Sequence, residues 1–289
     1  MANLKEIRGR ISSIKNTRKI TAAMSRIAAA RLRKAQQAVE AARPYGRRMA
    51  EVVGGLVSEL AGAEKLPDLL VVRPVEKVAV IVVSADRGLC GAFNTNVNRL
   101  SERKIRSLLE ADKKVELLAV GRKAATYLRH RGFVASERFA APDSATILDI
   151  AAQVAKAAID LYAEKKVDQV LLIYNKFENV ISQVPTELVL LPVQPLEGSS
   201  AGPRDRVYEP GREVILERLL PAAVETAIAQ ALFNSVASEI AARRSAMDSA
   251  TDNASQIIAD LTLIYNRERQ AAITKELMEI IGGAEALKG

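Results

Sequence analysis

The chain's only thiol, Cys90, sits in the run "SADRGLCGAFN" (84–94), between an apolar stretch and a polar one rich in helix formers. A cysteine entering a helix is chemically suggestive, because the helix's free N–H groups favour the thiolate and so nucleophilic attack. Such a nucleophile needs a base. The only histidine, His130, falls two elements later in "RHRG", which reads as a surface turn. One histidine cannot serve a Cys–His relay and a metal centre together. The same run could cradle a phosphate, as strand-to-helix glycine turns do in many α/β folds. Its glycines, however, are spaced G-x-x-G, and it lacks both the Lys-Ser/Thr of a P-loop and the G-x-S-x-G of a nucleophile elbow. Nor does any carboxylate cluster have metal-ligand spacing. These residues read as a packed cysteine in a tight turn and a solvated histidine, with no cofactor, no metal and no catalytic constellation.

The elements around the turn are those of an α/β domain. "KVAVIVVSA" from Lys77 is a continuous β-branched run, as expected of a strand buried on both faces. After the turn comes a helical stretch to about Ala111, then the strand pattern "KKVELLAVG", the short helix "RKAATYLRHRG", the longer helix "SATILDIAAQVAKAAIDLYAEKK" and the strand "VDQVLLIYNKF". Alternation of strand and helix predicts a mostly parallel sheet. "ISQVPTELVLLPV" adds a Pro-flanked strand at an edge.

Both ends of the chain read as long helices. Leu4, Ile7, Ile11, Ile14, Thr21, Ala28, Leu32, Ala35, Val39 and Ala42 repeat on a narrow coiled-coil seam, with Arg18 and Ser25 as polar interruptions. Pro44 is expected to bend or loosen this helix, and "GAEKLPD" to end it. Residues 194–213 are linker-like. From 212 to 284 the pattern is helical again, with a seam at Ile257, Leu261, Ile264, Ala271 and Met278 and a stop at Gly282–Gly283. At 1.5 Å per residue the two helices span roughly 80–85 Å and about 105–110 Å, too long for a domain of roughly 30–40 Å. The economical fold is an antiparallel coiled coil (1–60 and 212–289) with a Rossmann-like α/β domain (61–211) inserted between its helices, a rod with a knob.

Charge is concentrated in the first helix. Residues 1–48 hold 13 Lys and Arg against Glu6 and Glu40, a local +11, so the other 241 residues carry −3 of the net +8. Its partner should be acidic. The basic stretch "NTRKITAAMSRIAAARLRKAQQA" could be a transit peptide, a nucleic-acid arm or one strand of a shaft. Its seam continues past residue 40 and matches that of the last helix, which a removable peptide would not need. Aromatics are 4% of the chain and Trp is absent, so little could stack on bases. The shaft reading is preferred, and a nucleic-acid-binding coiled coil with a degenerate nucleotide domain is the alternative. One cysteine excludes an internal disulfide, and no run of 18 uncharged apolar residues occurs.

The stretches "EIRGRISSIKNTRKITAAM", "ARPY", "SADRGLCGAFN", "NKFENVISQVPTE", "LLPV", "YEPG", "SATDNAS" and "YNRERQAAITKELMEIIGGAEAL" run in order along the chain. With them the sequence resembles the gamma subunit of the F-type ATP synthase over essentially its whole length. The resemblance implies a non-catalytic central stalk turning inside a ring of three alpha and three beta subunits. The α/β domain would sit with the epsilon subunit on the ring of membrane c subunits, with no nucleic acid bound and membrane association only through the complex. It implies ring-contacting positions at Arg269, Gln270, Thr274, Glu276, Met24, Arg243, Arg87 and Arg99, and positions on the epsilon and c-ring side at Tyr208 and Glu209. Farther along the helix of Arg99 other members carry more Lys, whereas position 102 here is Glu. The paired regulatory cysteines of chloroplast members are missing. The start "MANLKEI" leads to the expectation of a bacterial protein without a presequence, peripheral to the cytoplasmic face of the plasma membrane.

Overall fold

The computed structural model describes residues 2–59, 66–194 and 212–286. In chain order the elements are α1 (Ala2–Glu59), β1 (Lys77–Val83), α2 (Phe93–Glu110), β2 (Lys114–Val120), α3 (Arg122–His130), β3 (Glu137–Phe139), α4 (Ile147–Ala163), β4 (Gln169–Phe177), β5 (Gln183–Leu191) and α5 (Arg212–Ala286). They fall into two compact units, Ala29–Arg243 and Met1–Ala28 with Arg244–Gly289.

The larger unit is a five-stranded sheet in the order β3-β2-β1-β4-β5. The first four strands are parallel and β5 returns antiparallel to β4. β1 is central, and its alternate residues serve two cores. Val78, Val80 and Val82 pack with Val97 and Ile105 of α2 and Leu128 of α3. Ala79, Ile81 and Val83 pack with Val154 and Ala158 of α4, with Leu220, Val224 and Ile228 of α5, and with Val53 and Leu56 of α1. An uninterrupted apolar strand is therefore what this position demands. Burying each large apolar side chain contributes about 1.5–3 kcal/mol. β5 lies at the edge, where Pro185 removes an N–H that the ladder can spare. The other edge strand, β3, has no signal in the sequence, because the three residues "ERF" show neither an apolar run nor an alternating pattern.

In this unit α1 buries Leu32, Ala35, Val39, Val53 and Leu56, and α5 buries Leu216, Leu220, Val224, Ile228 and Leu232 at four-residue intervals. The two helices approach closely at Gly46, where an added Cβ would lie 1.5 Å from Gln230 Nε2. That amide nitrogen donates to the Ala42 carbonyl at 3.3 Å. Pro44 does not interrupt α1. It sits on the exposed face, so water can serve the Glu40 carbonyl that loses its helical donor.

In the smaller unit, Thr21 and Thr251 hydroxyls meet at 2.7 Å and the Ser25 hydroxyl donates to Asp248 Oδ1 at 2.5 Å. Partner numbers rise on α1 as they fall on α5, so the helices are antiparallel. The α1 seam is as expected: Leu4, Ile7, Ile11, Ile14, Thr21 and Ala28 are all buried or half-buried, and Arg18 is exposed. Ser25, expected as an interruption, is instead buried and bonded.

The α5 seam differs from expectation. Ala254, Ile258, Leu261, Tyr265, Glu268 and Ala272 turn inward, while Ile257, Ile264, Ala271 and Met278 are exposed. Apolar residues lie on nearly every side of this stretch, so periodicity alone allows either stripe. Gly282 and Gly283 do not stop α5 either. They remain inside the helix, at a cost of about 1 kcal/mol each relative to Ala. One window of α5 reaches mean hydropathy 1.2, which by length and composition alone would suit a membrane span; 39% of it is buried in the protein.

Candidate partner-contact surface

The turn that carries Cys90 is closed by its own neighbours. Asn94, in the first turn of α2, accepts from the Ala85 N–H at 3.0 Å and donates to the Arg87 carbonyl at 3.2 Å. The first amides of α3 are also taken, Arg122 N–H by Asp86 Oδ1 at 2.8 Å and Ala124 N–H by Ser84 Oγ at 2.8 Å. The Ala85, Arg122 and Ala124 amides around the turn are thus spent on side chains that shape it. Cys90 is 1% exposed and packs with Ala85, Phe93 and Ala242. Burial, and then the nearby Glu239 charge, push its thiol up, away from the thiolate that nucleophilic chemistry needs. His130 is exposed in the last turn of α3, its Nδ1 against the Thr126 carbonyl at 2.7 Å.

What the turn does present is charge. Arg87 is exposed at its outer edge, and Arg99 is exposed on α2. Arg243 of α5 is half-buried, 2.5 Å from Glu239 Oε1, and donates to the Gly88 carbonyl at 3.1 Å. Arg87 and Arg243, far apart in sequence, are therefore brought to one turn. Glu239 itself is pushed up by burial, which outweighs the pull of Arg243, Arg31 and Arg87 toward the carboxylate. The sequence offers a signal for Glu239 in its i, i+4 spacing to Arg243, but nothing in it points to Gly88.

Arg269, Gln270, Thr274 and Glu276 are all exposed within about two turns of α5 in the smaller unit, where Met24 of α1 is half-buried. Thr274 Oγ1 donates back to the Gln270 carbonyl at 2.9 Å. Every residue from Ile273 to Ala284 is exposed, including Ile273, Leu277, Met278, Ile280 and Ile281. An apolar helical end without cover is a candidate interaction surface. Tyr208 and Glu209 lie outside the described residues.

Glu102, where the resemblance would favour Lys, has a structural reason to be acidic. It accepts from the Tyr127 hydroxyl at 2.6 Å and from Arg106 at 2.9 Å, and Arg131 stands 3.7 Å away. The Tyr127 and Arg106 bonds hold its carboxyl below the ordinary 4.5. A depressed carboxyl stabilises the fold above its unfolded pKa and loses that contribution as pH falls through the folded value. Glu102→Gln should therefore flatten the decline in urea midpoint of the full chain below about pH 4.5. Parallel curves for variant and parent between pH 3 and 6 would contradict this.

A family model described as ATP synthase matches residues 3–287. The ATP synthase gamma chain of Trichlorobacter lovleyi is 45% identical over 291 residues, covering 100% of both chains. That of Paracoccus denitrificans is 44% identical, covering 99% of this chain and 100% of the relative. Among solved structures, a chain of the central stalk and c-ring of the Tetrahymena thermophila mitochondrial ATP synthase superposes with a TM-score of 0.61 at 26% identity, over 80% of this chain and 99% of that one. A chain of the Euglena gracilis mitochondrial ATP synthase shares the fold at a TM-score of 0.67 and 21% identity, over 99% of this chain and 95% of that one. The family match covers both terminal helices and the sheet between them, and relatives 45% and 44% identical cover essentially the whole chain: it belongs to the ATP synthase gamma-chain family.

Proposed function

We propose that this chain is the non-catalytic rotor subunit of an F-type ATP synthase, coupling ion-driven rotation to the conformational cycle of the catalytic sites. The observation that carries this reading is the family match along the whole chain, helices and sheet alike. Residues 1–60 and 212–289 act as the shaft within three alpha and three beta subunits. Residues 61–211 form the inserted domain, which meets the epsilon subunit and the c-ring, with Tyr208 and Glu209 on that side. The complex is peripheral to the membrane in its F1 part, and we place it on the cytoplasmic face of the bacterial plasma membrane.

A rotor makes and breaks no bonds. It shifts its partners' equilibria only through contacts whose strength differs between their conformations. Arg269, Gln270, Thr274, Glu276, Met24, Arg243, Arg87 and Arg99 are the side chains we assign to those contacts. The exposed ones are worth roughly 0–1 kcal/mol each, so torque is shared among them and a single loss lowers coupling only in part. The 13 basic residues of the first 48 supply a positive face for acidic partners.

Native mass spectrometry of the chain co-expressed with alpha and beta subunits tests this. One copy per three-plus-three ring is expected. Failure to assemble, with nucleic acid bound instead and lost steeply as salt rises, would favour the nucleic-acid alternative.

A further inference from the structure

Where α5 meets the Cys90 turn, one guanidinium makes two contacts. Arg243 Nη1 lies 2.5 Å from Glu239 Oε1, and Nη2 donates to the Gly88 carbonyl at 3.1 Å. Both side chains are largely withdrawn from solvent, at 20% and 15% exposure. The adjacent Ala242 packs on Ala85, Cys90 and Phe93. Asn94 grips the turn from its other side through Ala85 and Arg87. Within this turn Arg87, Gly88, Leu89, Gly91 and Ala92 face solvent, and Arg87 is the one cation among them.

Stability is a poor explanation for such a pair. Withdrawing two charges from water costs about as much as their attraction returns, and apolar replacements of buried pairs are often neutral or better. Geometry is a better one. An arginine side chain has many rotamers, and a carboxylate one helical turn away selects the one that reaches Gly88. We propose that Glu239 is a positioning residue, which aims the Arg243 guanidinium at the Gly88 carbonyl and thereby fixes Arg87 relative to α5. The inference rests on the rotor reading for its purpose, since a contact that transmits torque must be held rigidly to the axis that turns. Arg31 of α1 and Arg87 itself add positive charge around the same carboxylate, so several elements of this unit act on Glu239.

Cys90 provides the test, because the clamp covers it and it is the only cysteine. The rate at which a maleimide modifies Cys90 is read by mass spectrometry, on the full chain alone and in its complex. Glu239→Gln should raise that rate about tenfold or more beyond the gain in thiolate, which the pH dependence of the rate separates, by letting α5 lift from the turn. Arg243→Lys should do the same, because a single ammonium cannot hold both partners. Glu225→Gln, on an exposed position of α5, should stay at the parent rate. If Glu239→Gln fails to fold, Arg243→Lys carries the test. Unchanged labelling in the folded variants overturns the clamp.

In the complex, ions moved per ATP hydrolysed should fall with Glu239→Gln and with Arg87→Ala, and the double variant should be no worse than Arg87→Ala. Additive losses would overturn the positioning of Arg87. If the parent chain does not assemble, the rotor reading fails, and labelling of the isolated chain still decides the clamp.

Discussion

Replacing Gly121 with alanine should destabilise the sheet unit by about 3–5 kcal/mol, enough to leave much of the chain unfolded at 37 °C. Gly121 links β2 to α3 at φ 88° and ψ 144°, a region essentially reserved for glycine that costs an L-residue roughly 1–3 kcal/mol. The larger part is contact. An added Cβ would stand 2.2 Å from the Ser84 carbonyl oxygen and 2.9 Å from Ser84 Oγ. Neither can yield freely. Ser84 donates its N–H to the Val120 carbonyl at 2.8 Å, and its hydroxyl accepts the Ala124 N–H at 2.8 Å. Gly121 itself donates to Phe139 at 2.9 Å, which ties the edge strand β3 to the turn. Gly132 is the internal control: its φ is 89°, but a Cβ added there would meet nothing within 4 Å. Gly132→Ala should cost only the conformational part, about 1 kcal/mol. Equal urea midpoints for the two variants would refute the close-approach argument.

Cutting the chain after Glu268 should separate function from stability. Of residues 269–284 only Ala272 is even half-buried, so the fold of the isolated chain should change by less than about 0.5 kcal/mol. The assembled complex should lose tenfold or more of its ATPase activity, since the cut removes Arg269, Gln270, Thr274, Glu276 and the uncovered apolar end together. Single substitutions among these residues should cost far less, as exposed charged contacts are individually weak. A truncated complex with parental turnover would show that this end of α5 does not bear on the ring. A truncated chain that melts much earlier would show that the end of α5 is held by more than its exposed surface suggests.

How much of this can be read from the sequence depends on whether the deciding partner is local. β1 and the Val170–Ile173 run of β4 declare themselves because a strand covered on both faces has to be apolar. The α1 seam does so because its other faces are charged, leaving one stripe to bury. The α5 seam does not: with Ile257, Ile258, Leu261, Leu263 and Ile264 in eight residues, two stripes fit equally well, and only the partner helix selects between them. Pro44 reads as a bend and Gly282–Gly283 as a stop from intrinsic preference, but an exposed proline and two helical glycines cost a long helix only a few kcal/mol. β3 owes its existence to β2 beside it. Of the proposed contact residues, Arg87, Arg99, Arg243 and the Arg269–Glu276 group are reached through resemblance, since an exposed arginine looks alike wherever it stands. Ser25 and Asp248 acquire their roles only when helices far apart in sequence come together, and Glu239 only when α5 meets the Cys90 turn.

α5 is one hydrogen-bonded helix in two surroundings. From Thr226 to Ala242 no side chain is exposed, and from Ile273 to Ala284 every one is. Backbone amides in the first stretch can trade their hydrogens for deuterium only when the packing around them opens, whereas those in the second need only local fraying. Lifetimes against exchange should therefore fall by orders of magnitude along a single element, with Gly282 and Gly283 easing the unwinding near its end. The last turns can melt and re-form many times during one opening of the stretch that holds the sheet, so the chain keeps its register at one end while remaining pliable at the other.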